Sequence, residues 1–347
     1  MQTTPTLVLH IGAGKTGSTS IQFTLRQAAE KLAKQHTFYA GLMLEKLPVA
    51  TQYSWCVEGA PHRYFQESDL KGSNEEVYQT IYDELLRLGR EGVRQVIWSN
   101  EAFLTRHDRI LPVIEQLVAA GVPVRIIAYV RRHDKWARSA YIQFGLKFKS
   151  YKGPLRNFSE WAANQNMAFA SDLEIWRNAF PEKLELFNFD AIGDVACHFL
   201  ELCKLEGVDL VRANDSPSNA LLAAWSVFNG RQDGVTRPDA FRRLARPLKV
   251  LQNKGEPVPP LNEMLPDTAD LMFIQDAYRE DYDEVNALLK ESGQPPMEFG
   301  PLDEKSRDVS SWELDRMLFQ MVFSLQRQVL ELQVKLEEQT KDSDVSS

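Results

Sequence analysis

Gly12-Ala13-Gly14-Lys15-Thr16-Gly17-Ser18-Thr19 gathers three glycines, a lysine and three hydroxyls into eight residues. Glycines let the backbone approach a ligand closely, N–H groups at a helix start attract an anion, and lysine adds a mobile positive charge. Lys15, Thr16, Gly17, Ser18 and Thr19 are therefore candidate ligands for a phosphate or sulfate. The Walker pattern needs a glycine where this chain has Leu9. The dinucleotide pattern fails as well, because no acidic residue ends a second strand near position 40. A second basic cluster runs Arg131-Arg132-His133-Asp134-Lys135-Trp136-Ala137-Arg138-Ser139. There Asp134 is placed to cap a helix, and Arg132, Lys135 and Arg138 suit a solvated positive face. Glu101, in Ser99-Asn100-Glu101, is a carboxylate at a strand end and a candidate general base. Each has a plain structural alternative: Arg131 in a surface ion pair, Ser139 facing a helix, Glu101 paired with Arg106, Arg109 or Lys15.

The elements that must position these groups are short apolar strands alternating with helices. Leu7 to Ile11 reads as a strand closed by Gly12, and a helical pattern from Thr19 runs through Ile21, Phe23, Leu25 and Leu32. Helical spacing at Tyr78, Ile81, Leu85 and Leu88 precedes a strand at Val93 to Trp98. A helix over Leu111 to Ala120 precedes a strand at Val124 to Val130, and another over Leu173 to Phe180 precedes a strand at Leu184 to Phe189. This alternation predicts an α/β fold, a P-loop-like parallel sheet with helices on both faces. Residues 1–300 read as one domain, 301–311 as a linker, 312–340 as a C-terminal helix and 341–347 as a disordered tail. Stretches 42–75 and 230–265 read as loops and lids inside the domain.

The first cluster together with Arg131 followed eight residues later by Ser139 resembles the sulfotransferases that use 3′-phosphoadenosine 5′-phosphosulfate (PAPS). The similarity is greatest to bacterial carbohydrate-type members. His10-Ile11-Gly12, Lys15-Thr16-Gly17-Ser18-Thr19-Ser20-Ile21-Gln22 and Tyr129-Val130-Arg131-Arg132 with Ser139, Tyr141 and Gln143 carry it, over about residues 5 to 297. Ser18 stands where that group has threonine, and Asn100 where it often has serine; Asn214, Ser216 and Asn219 resemble an Asn-x-Ser segment of the same group. The resemblance implies a sulfotransferase fold and PAPS as donor. Lys15, Thr16, Gly17, Ser18 and Thr19 would hold the 5′-phosphosulfate, and Arg131 with Ser139 the 3′-phosphate. It implies a hydroxyl acceptor, a saccharide or small molecule, and places Glu101 in the order where the family has its base. Lys15 would meet the charge that develops on the leaving phosphate, and no metal is required. Two other functions are weighed: a P-loop nucleotide kinase, and a catalytically silent nucleotide-binding scaffold.

Composition narrows the classes. In 347 residues, 44% are hydrophobic and 25% charged, as in a globular protein. Lys and Arg number 40 against 48 Asp and Glu, a formal charge of -8, which argues against a nucleic-acid coat. Three cysteines, Cys56, Cys197 and Cys203, with no C-x-x-C pair favour a reducing compartment, and the histidines show no metal-binding spacing. No apolar run at the N-terminus is long enough for a signal segment or a membrane span, so a cytoplasmic protein is expected. Tyr53, Trp55, His62, Tyr64 and Phe65 could stack on a sugar, with core or loop packing the commoner use. In the tail, Leu314, Leu318, Met321, Leu325, Val329, Leu332 and Leu336 step by three or four, with one extra step of four after Leu325. This predicts a self-associating coiled coil and a homo-oligomer, against the alternative of a helix docked on its own domain.

Overall fold

The computed structural model describes residues 4–48, 53–58, 61–67, 69–211, 217, 219–230, 232–236, 260–300, 302 and 307–345. Two compact units interleave in sequence. The first comprises Met1–Trp136, Met167–Asp215 and Gln275–Gly300, and the second Ala137–Asn166, Ser216–Ile274 and Pro301–Ser347. The stretch 1–300 read from sequence as one domain is thus shared between two units.

In the first unit, β1 (Thr6–His10) leads to α1 (Ser18–Gln27), α2 (Ala29–Lys34) and β2 (Thr37–Gly41). α3 (Leu70–Arg90) precedes β3 (Gln95–Ser99); α4 (Ala102–Thr105) and α5 (His107–Ala119) precede β4 (Val124–Val130). α6 (His133–Tyr141) begins here and ends in the second unit. α7 (Phe158–Ala162) belongs to the second unit, while α8 (Ala170–Ala179), β5 (Leu184–Asn188) and α9 (Val195–Leu202) return to the first. The five strands form one parallel sheet in the order β2-β3-β1-β4-β5. The expected parallel α/β fold is present, and its arrangement is consistent with a P-loop-like one.

Strand alternation sends neighbouring side chains to opposite faces, and because both faces are covered the strand centres are apolar on both. Leu7, Leu9, Val96, Trp98, Ile126 and Ala128 join one core with Ile81 and Leu85 of α3, Ile114 of α5 and Trp176 of α8. Val8, Ile97, Ile127 and Tyr129 join the other with Ile21 and Leu25 of α1 and Phe199 of α9. Strand β2 was not anticipated. It is five residues long, pairs only with β3, and follows His36, whose φ of 55° resets the chain direction. The helical pattern from Thr19 breaks at Ala28 into α1 and α2, and Phe23 points to solvent rather than to the core.

The second unit continues with α10 (Asn219–Gly230), α11 (Leu261–Met264), most of α12 (Thr268–Ala277) and α14 (Ser311–Val345); α13 (Arg279–Glu291) belongs to the first unit. α10 packs against the π-helical turn Ile142–Lys147 and against α11 and α14. Lys149 is fully buried there, and its ammonium donates to the carbonyls of Gly153 and Gln232. Burial pushes its pKa down and Asp233 pulls the other way. α14 is helical to Val345, so the boundary placed at 340 falls inside it; 346 and 347 lie outside the described residues. No helix among the described residues is long and apolar enough to cross a membrane.

Candidate functional site

In a parallel sheet all carboxyl ends lie at one edge, where ligands of such folds gather. β3 and β4 flank β1, so the Gly12 loop, Glu101 and Arg131 leave the sheet at that shared edge.

The loop is held from both sides. Ala13 N–H donates to Tyr129 O at 3.0 Å, and the Thr16 hydroxyl donates to Ala13 O at 2.5 Å. Two further loop carbonyls accept side chains from beyond β4: Gly14 O from Trp136 Nε1 at 2.7 Å and Lys15 O from the Arg131 guanidinium at 3.3 Å. Lys15 adopts a left-handed φ of 69°, and Gly17, with φ 80°, is the N-cap of α1. The first N–H groups of α1 have no intrahelical partner, as at any helix start. Ser18 Oγ, beside them, is buried without a hydrogen-bond partner among the described residues.

Gly17 has no substitute. A Cβ there would lie 2.3 Å from Val195 Cγ1, and φ 80° strains any other side chain. Gly17→Ala should destabilise the protein by about 2–4 kcal/mol, from overpacking plus left-handed strain. Urea denaturation reads this directly. Adding Val195→Ala should recover the steric part only, and full recovery would mean that the φ costs nothing.

Arg131 sits over the Phe189 ring at 5.1 Å, with Nε 3.6 Å from Asp190 Oδ1. Burial pushes its pKa below the ordinary arginine value, with Asp190 opposing. Asp190 also binds the Lys135 ammonium at 3.1 Å and the Arg132 N–H at 2.9 Å. Two expectations for this cluster are corrected. Arg132 is no solvated charge but is buried in a two-pronged bond to Asp134, at 2.7 and 2.8 Å, and it also donates to Glu298 O. Asp134 is correspondingly turned to Arg132 instead of capping α6, a far better use of a buried carboxylate. Beside it His133 binds Asp281 at 2.7 Å. Burial would raise the Asp281 carboxyl, but bonds from His133 and the N–H groups of Phe169 and Ala170 outweigh this and hold it below its usual value.

Glu101 accepts from Gln22 Nε2 of α1 at 2.8 Å, while Arg106 and Arg109 turn to Asp108 and to the carbonyls of Phe65 and Glu67. The neighbouring Asn100 is buried and structural, donating to Leu42 O and accepting from the Ala102 N–H. The structure therefore gathers Lys15, Thr16, Gly17, Ser18, Thr19, Glu101 and Arg131 around one loop and the start of α1. Ser139 lies on α6 in the second unit. Asn214 and Ser216 lie outside the described residues, and Asn219 donates to Asp308 O ahead of α14. Trp55 and Tyr64 are core residues and Tyr53 stacks on Trp55 at 4.8 Å, so these aromatics anchor their loop.

A buried polar chain behind Glu101 escaped the sequence reading. His10 Nδ1 lies 2.7 Å from Ser99 Oγ, and Gln22 Nε2 reaches Ser99 O at 3.4 Å. Residues 10 and 22 were visible only as letters of a motif, because nothing local says that they meet. His10 is fully buried, Nε2 has no partner among the described residues, and burial pushes its pKa down to about 3. The unfolded chain binds this proton below about pH 6.5, whereas the folded chain refuses it until about 3. Stability should therefore fall with falling pH across that window, by about 1.4 kcal/mol per pH unit from this group. His10→Gln should remove that slope in urea titrations between pH 6 and 4; equal slopes would place the acid sensitivity elsewhere.

Fold and site together describe a parallel α/β protein with a lysine- and glycine-bearing loop between β1 and α1, backed by an arginine just beyond β4. Compared with known protein families and with curated proteins, the chain matches no family model and no curated sequence.

Proposed function

We propose that this protein is a PAPS-dependent sulfotransferase that moves a sulfuryl group to an acceptor hydroxyl, on a saccharide or small molecule. The observation that carries the reading is the hydrogen bond from Arg131 to the Lys15 carbonyl, which draws both cationic motifs to one carboxyl edge. The buried Ser18 hydroxyl, without a partner among the described residues and beside the first N–H groups of α1, supports it, since these are the donors an anion would satisfy. So does the incompletely compensated Arg131 cation.

The loop and Arg131 fit an anionic donor. Lys15, Thr16, Gly17, Ser18 and Thr19 would hold its 5′-phosphosulfate and Arg131 its 3′-phosphate, an end to which the family resemblance adds Ser139. Bound there, PAPS supplies an activated sulfuryl group. Lys15 is suited to balance charge on the departing phosphate, and the loop N–H groups act as fixed donors that need no reorganisation. Glu101, held by Gln22, would take the proton from the acceptor hydroxyl.

The deciding measurement is thermal: adenosine 3′,5′-bisphosphate should raise the melting temperature, and ATP with magnesium should not. The reverse pattern would replace this reading with a P-loop kinase. A shift with the bisphosphate but no transfer to any hydroxyl would leave a nucleotide-binding scaffold.

A further inference from the structure

α14 carries two apolar stripes rather than one. Leu314, Met317, Met321 and Leu325 share one side of the helix and are half-buried, and the helix packs against α10. Next to them Leu318, Val322, Val329 and Leu332 are 49%, 57%, 52% and 65% exposed. The irregular step read from sequence arose by mixing residues of these two faces. Taken by itself, the series Leu318, Val322, Leu325, Val329, Leu332 advances by strict alternation of four and three. Leu325 alone belongs to both stripes.

We propose that this second stripe is the seam of a parallel two-stranded coiled coil with a second copy of the same chain. The occupant follows from which residue stands where. Val322 and Val329 take one core position and Leu318, Leu325 and Leu332 the other, the β-branched and leucine pairing that selects two parallel strands. The flanks are compatible with self-pairing. Over residues 318–333 the flanking Gln326, Gln328 and Gln333 carry no charge, so two identical helices meet no like-charge repulsion there. The charged pair Arg327 and Glu331, 3.8 Å apart, lies on outward positions. Docking on α10 holds the helix before association, so less ordering entropy opposes pairing.

Light scattering on the full chain should give twice the 39.6 kDa of one copy. Val329→Asp would bring two unpaired carboxylates into one seam, and should raise the dimer dissociation constant at least ~100-fold. Arg327→Glu, off the seam, should leave the dimer intact. Val322→Cys should give a reducible covalent dimer under mild oxidation, above the background of the unsubstituted chain, because a parallel register sets residue 322 against its own copy. A single-copy mass at high concentration, or a dimer that survives Val329→Asp, overturns the proposal. A larger assembly overturns the two-stranded state. A dimer lost on Val329→Asp that does not crosslink through residue 322 overturns the parallel register. Circular dichroism at 222 nm checks that each variant keeps its helix content.

Discussion

Lys15→Ala should abolish most of the stabilisation that adenosine 3′,5′-bisphosphate confers. A ligand at one hundred times its dissociation constant adds about 2.7 kcal/mol to stability. Removing a charge-assisted contact worth about 3 kcal/mol weakens binding roughly 100-fold, which leaves about 0.4 kcal/mol at the same concentration. Arg131→Ala should do the same and also remove the guanidinium bond to the Lys15 carbonyl, which ties the loop to the end of β4. Arg131→Lys keeps the charge but loses the planar fork, and should fall between the two. Ser139→Ala should be milder, because a neutral hydroxyl contributes about half of a charge-assisted bond. Melting curves with and without ligand read all four. A Lys15→Ala protein that responds like the native chain would remove this loop from the binding site.

Glu101→Gln should lower turnover about 10²- to 10⁴-fold on a hydroxyl acceptor that the native protein sulfates, with bisphosphate binding unchanged. The substitution keeps the size of the side chain and a carbonyl oxygen able to accept from Gln22, so the local structure should persist while proton uptake is lost. Gln22→Ala tests positioning separately: it should cost less than the loss of Glu101, and the shift should show in the pH profile of kcat. Near-normal turnover in Glu101→Gln would exclude it as the base. Loss of nucleotide binding as well would make it a structural support of α1.

Much of the architecture was legible because both faces of the sheet are buried, so β1 appears as an apolar run before a helical pattern and β3, β4 and β5 as apolar runs after one. β2 was hidden because an edge strand of five residues carries too little periodicity to separate it from a loop. Helix ends were less legible still: α3 begins at Leu70 on an Asp69 cap, well before its first apolar repeat. In the basic cluster, charge alone suggested solvent for Arg132, whereas its carboxylate partner two residues on allows burial. Residue type alone did not separate sugar stacking from core packing, and Trp55 and Tyr64 are buried in the core.

By itself the sequence determined the alternation of strand and helix, the loop chemistry at Lys15 and the apolar stripe of the tail, because each depends on residues close together in the chain. The tertiary structure decided what depends on long separations. Parallel pairing brings residues 10 and 99 into hydrogen-bond contact and sets Arg131 on the Lys15 carbonyl. Packing on α10 divides the α14 stripe into a covered face and an exposed one. Such contacts form when sheet and helices close over a common core, and no local pattern encodes which distant polar groups that closure will bring together.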